Sequence, residues 1–202
     1  MARAGLTADR ITAAAADLAD AIGFDKVTLS AVARHFGVRD ASLYSHVKNV
    51  RDLQVRMALL AGGEQIDEIA VAVAGRSGRE ALTAFADAYR AYALAHPGRY
   101  AATQIRIDPA DVTDSSAMRR TAEITYGMLR GYGLAEPDLT DAVRLLRSTF
   151  HGFSTIEAQG GFGHAREVEA SWRQAVAALH TALLNWPAID GPSPDDEGSN
   201  HA

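Results

Sequence analysis

Apolar residues recur along this chain at intervals of three and four positions, the spacing that places side chains on one face of an α-helix. Ile11, Leu18 and Ile22 mark such a face near the start, and Leu53 and Met57 begin another. No stretch alternates apolar and polar residues as a half-buried strand does, and no short-period repeat is present. The pattern therefore predicts an all-α fold.

Glycine, proline and polar runs divide the pattern into about nine helices. Two short helices, at 28–36 and 39–46, flank Gly37, which favours the left-handed turn of a tight corner. Gly62 and Gly63 lie inside the long fourth helix and mark a candidate kink. The other predicted helices cover about 7–22, 49–73, 80–96, 99–104, 115–130, 138–159 and 168–186.

The predicted helices group into two domains and a tail. We expect a three-helix N-terminal domain at 1–50 and a helical C-terminal domain at 51–186. Residues 105–115 are polar and contain a proline, which predicts a loop. From Pro187 onward the sequence holds too few apolar residues to build a core, so we expect 187–202 to be a disordered tail.

Composition limits the kinds of protein and site that the chain can form. Of its 202 residues 48% are hydrophobic, many of them alanines, which suits closely packed helices. The chain has 0 cysteines, so disulfides and thiolate metal sites are excluded. Asp17 and Asp20 interrupt the apolar N-terminal stretch, which argues against a signal peptide or membrane span and favours a cytoplasmic protein. Because no face carries a spaced set of His, Asp or Glu, we infer no metal site and no cofactor.

Charge is unevenly distributed along the chain. The net charge is -5, yet residues 1–56 hold 8 Lys and Arg against 6 Asp and Glu, a balance of +2, and the remainder carries -7. Binding to phosphate depends on the local field at the contact face. The acidic total is therefore compatible with a DNA-binding surface in the N-terminal part.

Residues 28–56 have the pattern of a helix-turn-helix. Thr28 is placed to cap the first helix of the pair, and Leu29 and Val32 supply its inward face. Gly37 then allows the corner. In such a motif the second helix lies in the major groove of DNA, with its N-terminal half nearest the base edges. The segment is therefore the leading candidate for a functional site.

The polar residues of this segment divide by the part of DNA that each suits. Arginine makes the commonest specific contact, a bidentate bond to guanine, whereas phenol, imidazole and ammonium groups donate to phosphates. The residues placed nearest the bases are Arg39, Asp40, Ala41, Ser42 and Ser45. The phosphate candidates are Tyr44, His46 and Lys48, with a second phosphate site at Thr28 and Ser30. Asp40 suits the helix dipole but would repel phosphate, so whether Arg39 or Asp40 faces a base stays open.

The run LYSHVKN at 43–49, preceded by Gly37-Val38, resembles the DNA-binding domain of the tetracycline-repressor (TetR) family over about residues 7–56. The resemblance implies a homodimeric transcription regulator, usually a repressor, that a small-molecule effector bound by the C-terminal domain releases from double-stranded DNA. The sequence departs from the common family pattern in two places. Arg39 stands where a small capping residue is frequent, and Val50 stands where some members carry a lysine.

Two later segments are similar to a TetR subgroup named for its tryptophan-histidine-glycine signature. They are YALAHPGRY at 92–100 and FHGF at 150–153, running on to GGF at 160–162. In that subgroup the last two long helices pair with those of the dimer mate as a four-helix bundle. The broad apolar stripes of the last two predicted helices agree with such pairing. The resulting dimer-interface candidates are Leu146, Phe150, Phe153, Trp172, Val176, Leu179 and Leu183.

An effector pocket is usually lined by apolar and aromatic side chains with a few polar groups. The candidates in this chain are Tyr89, Tyr92, His96, Tyr100, Tyr126 and Met128. Each could equally belong to the core, and His96 could instead bond the free carbonyls at the end of its helix. His151 is better explained as a hydrogen-bonded core or interface histidine than as a catalyst.

Two alternatives stand beside the regulator hypothesis. The chain could be a helical enzyme or binding protein that uses His96, His151 and the tyrosines, with a purely structural N-terminal bundle. That hypothesis lacks a nucleophile motif, suggestively paired carboxylates and a phosphate-binding glycine loop. On a smaller scale, Tyr44 could pack against the first helix instead of binding phosphate.

Overall fold

The computed structural model describes residues 5–108 and 116–187, which form eight α-helices and no strand within these ranges. The all-α prediction is therefore confirmed. In chain order the helices are α1 (Ala8–Ile22), α2 (Leu29–Phe36), α3 (Val50–Val73), α4 (Gly78–Ala95), α5 (Pro97–Thr103), α6 (Ser116–Leu129), α7 (Asp138–Ala158) and α8 (Val168–Leu184). Short 3-10 turns lie at Phe24–Lys26, Asp40–Ser42 and Arg130–Tyr132.

Side-chain caps set where the helices of the N-terminal part begin. The hydroxyl oxygen of Thr28 accepts a hydrogen bond from the amide of Ala31 at 3.1 Å, so the predicted cap of α2 is confirmed. Asn49 caps α3 in the same way, accepting from the amide of Asp52 at 2.9 Å. Gly37 ends α2 with φ of 66°, the left-handed conformation that a side chain would disfavour.

Helix α3 takes part in two separate hydrophobic cores. Near its N-terminus Leu53 and Met57 pack with buried residues of α1 and α2, and this core, which we call the head core, also includes Ala102 of α5. Further along α3, Ile66 and Ile69 pack with buried residues of α4, α6, α7 and α8 in what we call the body core. One rigid element thus spans both parts, and it continues through the glycine pair at 62–63 without a break.

The short helix α5 lies against α1 at unusually close range. A Cβ atom added to Gly98 would lie 2.0 Å from the carbonyl carbon of Ala19 and 2.1 Å from its oxygen, so only glycine fits there. Pro97 begins the helix, where its missing amide hydrogen costs nothing. The consequence is a body element, α5, that docks directly on the head.

The structure buries most of the predicted dimer-interface residues within the chain itself. Six of them lie inside the chain's own core, with 0–7% of their surface exposed, and Phe153 packs against that core while half-buried. The broad stripes of α7 and α8 are covered by α4 of the same chain; for example, the indole nitrogen of Trp172 donates to Asp87 of α4 at 2.7 Å. The six residues that are buried in this way, and are therefore not available to a partner chain, are Leu146, Phe150, Trp172, Val176, Leu179 and Leu183.

Other predictions concern segments at the limits of the described chain. Residues 105–108 are outside any helix, as the loop prediction requires, and the rest of that loop lies outside the described residues. The same is true of the predicted tail beyond Pro187. No helix in the described part is long and apolar enough to cross a membrane.

We predict that Gly98→Ala destabilises the protein by about 3 kcal/mol or more, because the added methyl group must displace the α1 backbone rather than a flexible side chain. The free energy of unfolding from urea denaturation measures this. Gly127→Ala is the matched control: it lies on α6 with nothing within 4 Å of an added Cβ. Removing a helical glycine there should change stability by no more than about 1 kcal/mol, in the stabilising direction. Equal effects of the two variants would contradict the close docking of α5.

Candidate nucleic-acid interface and internal cavity

Residues 39–47, which we call the recognition segment, are more tightly wound than predicted. They form a 3-10 turn at Asp40–Ser42 and then a helical turn in which the carbonyl of Leu43 accepts from the amides of His46 and Val47, both at 2.9 Å. The prediction of an α-helix over 39–46 is therefore wrong in type. Leu43 and Val47 are almost completely buried in the head core, where they pack with residues of α1, α2 and α3.

The polar residues of the recognition segment point away from that core. Tyr44 is 58% exposed, so the alternative that its ring packs against α1 does not describe this structure. Of the other DNA-contact candidates, only His46 is half-buried. The exposed ones are Thr28, Ser30, Arg39, Asp40, Ala41, Ser42, Ser45 and Lys48.

Hydrogen bonds within the head tie down some of these residues. The hydroxyl of Ser30 on α2 donates to the carboxylate of Asp40, which joins the two halves of the helix-turn-helix. The backbone amide of Lys48 donates to Asp52 at 2.8 Å, leaving the lysine ammonium at the surface. The carbonyl of Arg39 accepts from the amide of Ser42 at 2.9 Å, but its side chain makes no hydrogen bond or ion pair with any described residue. Asp40 is thus engaged in structure, whereas the guanidinium of Arg39 is available.

An ion cluster joins the head to the body beside the close contact of α5 with α1. The side chain of Arg99 on α5, only 13% exposed, pairs with Asp17 of α1 at 2.6 Å, with Asp20 of α1, and with Glu64 of α3 at 3.1 Å. The backbone amide of Arg99 also donates to Asp20 at 2.8 Å. Breaking a largely buried pair leaves an uncompensated charge, so this cluster fixes the position of α1 relative to α3 and α5.

Two of the predicted pocket residues belong to this cluster instead. The phenol of Tyr92 donates to Glu64 at 3.0 Å, and burial raises the pKa of Tyr92, which keeps that proton in place. The imidazole Nδ1 of His96 lies 3.3 Å from Asp20. Both side chains turn toward α1 and α3, where the charged partners lie. Their assignment to an effector pocket is therefore corrected.

The body contains a cavity of about 420 Å³ that is open to solvent and is lined by residues of α3, α4, α6 and α7, with Thr103 at the end of α5. Two of the effector-pocket candidates, Tyr89 and Tyr126, line it, while Met128 does not, because it is buried in the body core. Tyr100 lies behind Tyr89 rather than on the wall. Apolar side chains dominate the lining, among them Leu59, Ile66, Ile69, Phe85, Ile107, Met118, Leu146 and Phe150.

A chain of hydrogen bonds runs from the cavity wall to α7. The hydroxyls of Tyr89 and Tyr100 lie 2.8 Å apart, and the hydroxyl of Tyr100 lies 2.7 Å from Nδ1 of His151. The prediction that His151 is a hydrogen-bonded histidine is confirmed. Because Tyr100 belongs to α5, the chain connects the cavity to the helix that docks on the head.

Sequence reasoning missed several polar residues of the cavity, and two of them stand out by their chemistry. Gln65 on α3 has a buried amide nitrogen with no hydrogen-bond partner in the described structure, and Arg147 on α7 lines the cavity beside Leu146. A single Gln or Arg in a helix ordinarily marks a solvated face, so periodicity alone gives no signal for either. Only the crossing of α3 and α7 over one space brings them together.

Metal ligands are not grouped anywhere in the described chain. Within residues 5–108 and 116–187, no set of three or more His, Cys, Asp or Glu side chains could hold a metal ion.

Two family models match the chain, one over each part. The model described as "Bacterial regulatory proteins, tetR family" matches residues 11–53, which include the helix-turn-helix. The model described as "Tetracyclin repressor-like, C-terminal domain" matches residues 82–179, which include most of the cavity wall from α4 onward.

Curated relatives span most of the chain. An uncharacterized HTH-type transcriptional regulator of Mycobacterium tuberculosis is 32% identical over 158 residues, covering 78% of this chain and 72% of that protein. An uncharacterized HTH-type transcriptional regulator of Bacillus subtilis is 28% identical over 182 residues, covering 90% of this chain and 95% of that protein. Both relatives carry the name of a transcription regulator.

Solved structures share the fold. Apo ActR from Streptomyces coelicolor superposes with a TM-score of 0.71 at 21% identity, covering 91% of this chain and 97% of that one. ActR in complex with (S)-DNPA superposes with a TM-score of 0.67 at 21% identity, covering 91% of this chain and 100% of that one. BioQ with its natural double-stranded DNA operator superposes with a TM-score of 0.66 at 20% identity, covering 90% of this chain and 99% of that one.

A helix-turn-helix head carried by an all-helical body defines the class of DNA-binding transcription regulators. Within that class, the family matches and the relatives are specific: the chain belongs to the tetracycline-repressor (TetR) family. The family resemblance of the 43–49 run is thereby confirmed. The tryptophan-histidine-glycine subgroup stays a prediction.

Proposed function

We propose that this TetR-family regulator is a homodimeric repressor that leaves a quasi-palindromic operator when a small molecule occupies its cavity. The observation that carries the proposal is the sharing of α3 and α5 between the recognition head and the cavity wall. Structures of fold relatives with an operator and with a small molecule support it. A cytoplasmic location is part of the same proposal, because the operator lies there.

In the proposed DNA complex the recognition segment enters the major groove. Tyr44 and Lys48, both exposed, donate to phosphates on one side. Thr28, at the N-terminus of α2, contributes the second phosphate contact through the helix start. Ser30 is already bonded to Asp40, so its hydroxyl proton is not available for phosphate. The surface thus offers fewer phosphate donors than the sequence alone indicates.

Coupling between the cavity and the head has two routes in this proposal. The predicted route is the helix that joins head and body, α3, whose Ala58 lies in the head core and also lines the cavity. The second route is α5, whose Thr103 lines the cavity and whose Arg99 holds α1. A ligand that favours one arrangement of these helices changes the separation of the two recognition segments in a dimer, and so the operator affinity.

For the homodimer we propose the outer faces of α7 and α8, in place of the buried stripes corrected above. Leu145 and Ile156 on α7 are 37% and 43% exposed, and Leu184 on α8 is 59% exposed. Small residues, Gly152 and Ala177, lie between them and permit close approach of a partner helix. Exposed apolar residues along two long helices are typical of a self-complementary two-fold interface.

We predict that Tyr44→Phe and Lys48→Ala each weaken operator binding about tenfold while leaving thermal stability unchanged, because both side chains are exposed and the head core is untouched. Gel shifts at stated salt, on the upstream region of the protein's own gene and on a randomised DNA pool, measure this. For Lys48→Ala the dependence of log affinity on log salt should also fall by about one unit. Arg144→Ala, an exposed arginine of α7, serves as the control. The absence of any sequence-preferring complex on the pool would refute the DNA-binding role, and wild-type affinity in both variants would refute the site.

We predict that Arg39, not Asp40, selects a base pair. Arg39→Ala should reduce discrimination at one position of each half-site by about 1–3 kcal/mol, because a bidentate guanine contact is lost. Asp40→Asn should keep the base preference, since an amide oxygen can still accept from Ser30. Sequencing the DNA selected from a randomised pool by each variant distinguishes the two residues. A changed preference in the Asp40 variant with none in the Arg39 variant would reverse the assignment.

We predict that Leu145→Glu and Ile156→Glu split the dimer, raising its dissociation constant at least about a hundredfold, because a carboxylate would be buried at the interface. Sedimentation equilibrium gives the mass, and operator affinity should fall in parallel. Val71→Glu, on α3 and 80% exposed, is the matched control and should stay dimeric. Monomers in the control, or dimers in both test variants, would place the interface elsewhere.

A further inference from the structure

The cavity has an uneven charge on its wall. Among its described lining residues Arg147 is the only charged one, and no acidic side chain lines it. Arg147 is also exposed, so it lies where the cavity meets solvent. One turn earlier on α7, Arg144 pairs with Asp141 at 3.3 Å, whereas the side chain of Arg147 makes no hydrogen bond or ion pair with any described residue. A cation that no acidic neighbour neutralises is therefore available to a ligand.

The positive charge of Arg147 acts on two phenols, Tyr89 on the cavity wall and Tyr100 behind it. Burial raises the pKa of Tyr89 and of Tyr100, and the positive charge of Arg147 offsets part of that shift in both. Tyr89 is therefore a protonated phenol on the wall, close to an available guanidinium. A guanidinium and a hydroxyl are two donors, which together suit one carboxylate.

The rest of the wall limits the remainder of the ligand. Ile66, Phe85 and Phe150 make the interior apolar, so most of the ligand must be apolar as well. Gln65 provides a buried N–H with no partner among the described residues, and leaving it unbonded costs free energy that a ligand oxygen would recover. A phosphate ester fits poorly, because its charge of about -2 usually needs several cations.

We propose that the effector is a mainly apolar carboxylic acid whose carboxylate binds Arg147 and Tyr89 and which carries a further oxygen acceptor for Gln65. This inference rests on the proposed function, since it assigns a chemical class to the same cavity. It commits to one negative charge at one end of the ligand.

The hydrogen-bond chain gives the carboxylate a way to act on the head. Tyr89 can donate to a carboxylate only if it accepts from Tyr100, and Tyr100 in turn must then accept from Nδ1–H of His151. A carboxylate can only accept, so its binding selects this direction for both hydrogen bonds, whereas a ligand group that donates to Tyr89 selects the opposite one. Because Tyr100 is on α5, the selection acts on the helix that docks on α1.

The test uses a panel of aryl and alkyl carboxylic acids, including naphthalene-1-acetate and octanoate, each paired with its primary amide as a neutral isostere. Calorimetric titration of the full chain should show acids binding about tenfold or more tighter than their amides. In Arg147→Gln this preference should vanish while amide affinity stays the same. Arg144→Gln, the matched control on the same helix, should keep it. Thermal denaturation confirms that both variants are folded.

Three outcomes would overturn the carboxylate inference: equal affinity of acids and amides, a preference that survives Arg147→Gln, or no binding by any member of the panel. Anisotropy of labelled operator DNA separates this inference from the proposed function. Acids that bind with the expected preference yet leave DNA bound support the carboxylate site and refute the effector role. Amides that release DNA as well as the acids do support the effector role and refute the charge requirement.

Discussion

The docking of α5 on α1 is the contact on which the two-part organisation of this regulator depends. The absence of a Cβ at Gly98 lets the two backbones approach, and only at that distance can the amide of Arg99 reach Asp20. The guanidinium of Arg99 then spans to Asp17 and to Glu64 of α3. The head is therefore held to the body by α5 as well as by α3, and both of those elements also border the cavity.

Much of the fold could be predicted from the sequence, because helical periodicity and the glycines that end helices are local signals. The glycine corner at Gly37, the cap at Thr28 and the boundaries of the long helices followed from residues adjacent in sequence. The 3-10 winding of the recognition segment did not follow from such local signals. This winding at Asp40–Ser42 leaves no signal in the apolar spacing, because Leu43 and Val47 are four positions apart and would share one face of an α-helix as well.

The errors at the candidate sites have a common physical origin. An apolar stripe shows that a helix face is covered, but it does not show by what. Trp172 and Phe150 are covered by α4 of the same chain, so the residues available to a second chain are fewer and less apolar than the stripes indicate. In the same way, Tyr92 and His96 are close in sequence to a residue that lines the cavity, Tyr89. Their side chains instead bond to the carboxylates of Glu64 and Asp20, away from the cavity.

The recognition segment separates the residues that hold it from the residues that it presents. Leu43 and Val47 supply its packing, and Ser30 with Asp40 fixes its angle to α2, while Arg39, Ser42 and Ser45 stay at the surface outside the head core. Substitutions among the surface residues therefore leave the folding free energy nearly unchanged. The DNA sequence that the protein prefers can consequently drift over generations, or be redesigned, without a matching loss of stability. Residues of the cavity wall also belong to the body core, so substitutions there do change the folding free energy.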